Sequence, residues 1–178
     1  MKRNVLLILV VAIIVCASTI GGTFAWLISR VSVKNTFVVG DISISLNETT
    51  GTSYQLIPGA KLPKDPKIVV HSGSAACFVF VKIEKTSNFD NYVSYTIQDG
   101  WTELESGVYY RSFEATSGSV TYSVLSGDTV TVNSMLTDAD MSALKASGSY
   151  PELKFVAYAV QKSGIMNVED AWELVKNY

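Results

Sequence analysis

The chain has one imidazole, His71. Hydrolysis by bound zinc needs about three nitrogen, sulfur or oxygen ligands, a water and a general base. His71 follows Val70 and precedes Ser72-Gly73, which puts it where a strand enters a turn, and no His-Glu-x-x-His helix occurs. A turn histidine is the simpler reading. Asp138 and Asp140, like Glu169 and Asp170, stand at the starts of two predicted helices, where negative charge favours the helix dipole and needs no metal. Ser72 and Ser74 lack the G-x-S-x-G setting, and neither a G-x-x-x-x-G-K phosphate loop nor a strand-borne G-x-G-x-x-G is present. No catalytic, cofactor-binding or metal residue is assigned, and no cofactor is expected.

The two cysteines add little chemistry. Cys16 lies in an apolar N-terminal run behind Val15, where lipid attachment needs a small residue. Cys77 sits between Ala76 and Phe78, as a buried inert thiol would. If Cys16 is removed on export, no intramolecular disulfide is possible and packing must supply the stability. Charged residues are 17% of the chain and the net charge is -2, so the chain carries no polybasic surface for nucleic acid.

The N-terminus dictates where the rest of the chain goes. Met1-Lys2-Arg3 is basic, Val5 to Ile20 is apolar, and Gly21-Gly22-Thr23-Phe24-Ala25 follows. This is the layout of a secretory signal peptide covering residues 1–25. Thr23 and Ala25 supply the small side chains that a signal peptidase seats in its shallow pockets, making Trp26 the expected first residue of the mature chain. The competing reading is an uncleaved anchor, because the uncharged stretch can cross about 30 Å of hydrocarbon. Either way the remainder lies outside the cytoplasm, with membrane contact only through an uncleaved segment.

Beyond Ala25, residues 26–178 read as one domain with a dominant period of two. Ile42, Ile44 and Leu46 alternate with Ser43, Ser45 and Asn47, and Val93, Tyr95 and Ile97 alternate with Ser94, Thr96 and Gln98. Cys77 to Ile83 and Leu153 to Val160 are more evenly apolar, as in central strands covered on both faces. Pro58-Gly59, Gly73-Ser74, Asp99-Gly100, Ser106-Gly107, Ser126-Gly127-Asp128 and Ser163-Gly164 mark turns. The pattern predicts an all-β, jelly-roll-like antiparallel β-sandwich. Two short helices interrupt it: one capped by Thr137 with Asp140 and closed by Gly148, the other starting at Asn167 with Asp170. Lys61, Lys64 and Lys67, interleaved with Pro63, Asp65 and Pro66, read as protection of a sheet edge or as a contact loop. Asn47-Glu48-Thr49 is an incidental sequon. Core packing accounts for most aromatics, including Trp101, Tyr109, Tyr110 and Trp172.

Leu27, Val31, Val33, Phe37 and Val39 share odd parity, and the apolar parity switches after Gly40-Asp41, so two strands meet there at a bulge or corner. Fully extended, residues 26–39 reach about 45 Å. Such a segment pairs either with its own sheet or with that of a neighbour, where alternate side chains would fill a groove beside the open edge. Periodicity leaves the two alternatives open.

Several motifs together resemble one family. The signal ending GGTFAW, the run N-T-F-x-x-G-D-I-S-I at Asn35 to Ile44, the P-G-x-x-x-x-K-D-P at Pro58, Gly59, Lys64, Asp65 and Pro66, and the Ser-x-x-Cys-Phe-Val-Phe-Val strand from Ser74 are similar to the TasA and camelysin family of Gram-positive bacteria. Ala157 to Gln161, Ala-Tyr-Ala-Val-Gln, extends the resemblance toward the C-terminus. The resemblance implies export through a SipW-type signal peptidase, a jelly-roll domain, and self-association into biofilm-matrix fibres by donation of residues 26–39. It would make Leu27, Val31, Val33, Phe37 and Val39 the assembly residues, with cell-wall or matrix components as further partners. The camelysin side implies the alternative of a cell-surface metallo-endopeptidase, and a monomeric adhesion module is a third reading. The chain is shorter than TasA, which weighs on fibre formation more than on export.

Overall fold

The computed structural model describes residues 28–31, 42–51, 53–165 and 167–177. The signal residues Thr23, Ala25 and Trp26, and the assembly positions Leu27, Val33, Phe37 and Val39, lie outside them. Among the described residues no helix is long and apolar enough to cross a membrane.

Antiparallel strands dominate. A five-stranded sheet runs β1 (Ile28–Val31), β11 (Leu153–Gln161), β5 (Cys77–Lys85), β8 (Val108–Phe113) and β7 (Thr102–Glu105). Two three-stranded sheets order β2 (Ile44–Asn47), β4 (Lys67–Val70) and β9 (Val120–Ser123), and β3 (Lys61–Pro63), β10 (Thr129–Val132) and β6 (Val93–Ser94). The small sheets join end to end, because Val124 N–H donates to the Pro66 carbonyl and Lys64 N–H to the Asp128 carbonyl. Between these bonds one strand makes a 3-10 turn, Ser126–Asp128, with Gly127 at φ 66 and Asp128 at φ 51. Glycine is the residue that takes such an angle without a steric penalty.

The alternation seen in the sequence is what builds the core. Ile42, Ile44 and Leu46 are buried, and with Ile68 and Val70 they pack against Val79, Val81, Ala157 and Ala159 of the five-stranded sheet. Each fully buried Val, Ile or Phe contributes about 1.5–3 kcal/mol of apolar transfer. β5 and β11 lie side by side in that sheet, which explains their unbroken apolar character: odd residues of β5 enter the core between the layers, while Phe78 and Phe80 join a second cluster on the opposite face. Covering that second cluster is the C-terminal helix, Val168–Val175, through Ala171, Trp172 and Val175.

Both expected helices form with the expected ends. The helix Asp138–Ser147 has a complete capping box between Thr137 and Asp140, and Gly148 closes it at φ 64. In the C-terminal helix the Asn167 side chain accepts from the Asp170 amide. Among the described residues a third helix, Phe89–Tyr92, joins the two that were expected. Four residues are little more than one turn, too few to show a helical period. In chain order the helices are α1 (Phe89–Tyr92), α2 (Asp138–Ser147) and α3 (Val168–Val175).

The strand expected over Val93 to Gln98 is also shorter than its pattern. Only Val93–Ser94 forms a ladder, with a lone bridge at Ile97 to Leu125. Its partner strand carries the 3-10 turn, whose extra length breaks the register between the two contacts.

Candidate functional site

The four described residues of the expected donor segment form β1, at the edge of the five-stranded sheet. They pair with the chain's own β11, matching Ile28 to Val160, Ser29 to Ala159, Arg30 to Tyr158 and Val31 to Ala157. The structure thus brings Val31 to β11. The pairing covers the C-terminal half of β11.

Beside the other half, two grooves meet at Lys64, Leu153 and Lys154. One, of about 180 Å³, extends to Leu46 and Phe155. The other, of about 560 Å³, extends to Tyr54, Phe89 and Tyr150. Their walls are largely apolar, and both lysines are committed: Lys64 Nζ lies 2.5 Å from Glu48 and Lys154 Nζ 2.8 Å from Glu84. Such a surface suits an apolar chain segment better than a reacting group.

The opposite edge of the sheet has a different character. β7 carries Glu103 and Glu105, both exposed, and a register shift falls between them. A bulge and two charges on one edge strand obstruct further pairing there.

Lys64, Asp65 and Lys67 prove to be more than edge protection. β4, which starts at Lys67, is an interior strand between β2 and β9. The Asp65 carboxylate is buried and accepts from the Thr49 and Thr50 amides at 2.9 Å each and from their hydroxyls at 2.6 and 2.9 Å. The Thr49 hydroxyl bond, followed by those from Thr50, holds this carboxyl well below the usual carboxylate range, outweighing the opposite effect of burial. Lys67 bridges to Asp128 at 3.1 Å, tying the same knot to the 3-10 turn. Sequence reasoning missed this knot. The available signal was Lys-Asp-Pro with a Thr-Thr pair upstream, and Asp with Thr commonly traps loop amides in this way.

A second cluster, also missed, surrounds Arg111. Its guanidinium carbon lies 5.1 Å from the Trp101 ring centre and 5.0 Å from that of Tyr122, and it donates to the Asp99 carbonyl. Burial lowers the Arg111 pKa. Gly100 stands at φ 90, an angle that favours glycine, and a Cβ there would lie 2.5 Å from the guanidinium and push it aside.

His71 stands just after β4, with Nε2 3.0 Å from the Ser45 hydroxyl. Asp138 and Asp140 lie in the first turn of α2, and Glu169 and Asp170 in that of α3. Among the described residues no three His, Cys, Asp or Glu side chains converge as metal ligands would. Cys77 is fully buried, and burial pushes its thiol up to about 12. Replacing His71 by alanine removes one partly exposed hydrogen bond and is expected to cost about 1 kcal/mol or less in a thermal melt. Stoichiometric zinc in the purified protein, lost with that substitution, would overturn the turn-histidine reading.

Compared with family models, with curated proteins and with solved structures, the chain finds no significant match.

Proposed function

We propose that the chain is an exported structural subunit of a cell surface or extracellular matrix, with a jelly-roll-type sandwich, that assembles with copies of itself by exchanging the strand segment 26–39. Export by a SipW-like signal peptidase after Ala25 would free that segment at Trp26. One observation supports the reading: among the described residues β1, drawn from this segment, holds an edge place on the sheet through a ladder with β11. A copy's segment could take the same place, since an edge strand binds mainly through backbone hydrogen bonds. Continuing beyond the position of Val31, a donated chain would meet the apolar grooves at Leu153, where Val33, Phe37 and Val39 have a use. The role is non-catalytic, and cell-wall or matrix material is the further partner.

Removal of Trp26 to Thr36 tests this. The described members of both clusters all lie from Ile42 onward, so the truncated chain is expected to stay folded by circular dichroism and to run as a monomer, with no fibres in negative stain. Val31 and Val33 changed together to Asp should act likewise, because an unpaired buried charge costs several kcal/mol. Fibres from the truncated chain would sink the exchange reading, and failure to fold would show that the domain cannot do without this strand in its own sheet.

A further inference from the structure

Helix α3 is seated chiefly by one side chain. The Trp172 ring lies 5.4 Å from Phe80 and 5.5 Å from Tyr158, the latter edge-on at 81°, and its Nε1 donates to Glu105 at 2.8 Å. Those partners belong to β5, β11 and β7, so a single indole touches three strands of the five-stranded sheet. Ala171 and Val175 complete the buried face, and the Asn167 cap fixes the first turn.

The helix also lies against β1. In the β1 ladder Arg30 is aligned with Tyr158 and Ile28 with Val160, and both β11 residues belong to the cluster under α3. The part of β11 that holds β1 is therefore the part that holds the helix. A four-residue edge ladder is a weak attachment by itself, and local opening starts at such elements. Movement of α3 alters the packing of Tyr158 and Val160 at once, and with it the ground on which β1 rests.

We propose that α3 is a clamp on β1: with Trp172 seated, the strand is retained on its own β11, and it becomes exchangeable when the helix lifts. The mechanical coupling stands on the geometry alone, while its meaning as a control on assembly rests on the strand-exchange reading above. A chain so built would stay monomeric until a neighbour or a surface displaced the helix.

Hydrogen exchange on the purified mature chain, residues 26–178, read by mass spectrometry, tests the coupling. In Trp172→Ala the amides of residues 28–31 are expected to exchange about 100-fold faster, while β4 and β10 keep their protection. Unchanged protection at 28–31 overturns the clamp. If Trp172→Ala opens the whole sheet, Val175→Ala trims only the last turn of the helix and gives the same comparison at about tenfold. Sedimentation of the same samples separates the two ideas. Faster exchange with more oligomer supports clamp and strand exchange together, whereas faster exchange with no oligomer keeps the clamp and sinks the assembly reading.

Discussion

Asp65→Ala is expected to lower the stability of the fold by about 3 kcal/mol, one of the largest losses available from a single polar side chain. The carboxylate accepts four hydrogen bonds from Thr49 and Thr50, and its own amide donates to the Thr50 hydroxyl at 3.2 Å. Alanine would leave the two amides without their acceptor. In a domain of this size the loss corresponds to about 6–12 °C in melting temperature. The pH dependence has a definite sign. Because folding lowers the Asp65 pKa, its contribution is complete above the unfolded value of about 4 and is lost as the pH falls through the folded value below it. Asp65→Asn keeps the shape and removes the charge, so its melting temperature should fall less between pH 7 and pH 3 than that of the parent. Equal slopes in the two proteins would mean that the charge on Asp65 contributes nothing.

Phe80→Ala is the larger apolar counterpart, with an expected cost of about 3–5 kcal/mol. Phe80 is fully buried and packs on Tyr110 at 6.4 Å as well as on Trp172. Its removal leaves a void between sheet and helix that a strand at the centre of the sheet cannot collapse to fill. Set against a domain stability of about 5–15 kcal/mol, such a loss takes a large share. Urea titration is the check: the midpoint should fall well below that of the parent. Phe78, half-buried beside the same cluster, should lose much less when changed to alanine, and equal shifts for the two would show that burial is not what distinguishes them.

Local chemistry made much of this structure legible. The parity of Ile42, Ile44 and Leu46 reads directly as a one-sided strand, and the caps at Thr137 and Asn167 announce their helices because their hydrogen bonds close within three residues. Less accessible were features whose partners are distant in sequence. Asp65 meets Thr49 across 16 residues, and Trp172 meets Glu105 across 67, distances at which residue type and spacing carry no signal. The Val93 to Gln98 pattern misled for the same reason, since the turn that shortens its ladder belongs to another strand. For the candidate site, parity marked Val31 as a strand residue. It could not name β11 as the partner, because a short alternating segment fits many edges equally well.

The pairing of β5 with β11 also bears on time. Glu84 and Lys154 face each other across a separation of 70 residues, so the β5–β11 ladder cannot close until residues 153–161 have been made. Non-local ladders of this kind place folding in the range of milliseconds to seconds. Until β11 arrives, β5 can pair only with β8, and the face of the sheet that receives Trp172 lacks Tyr158 and Val160.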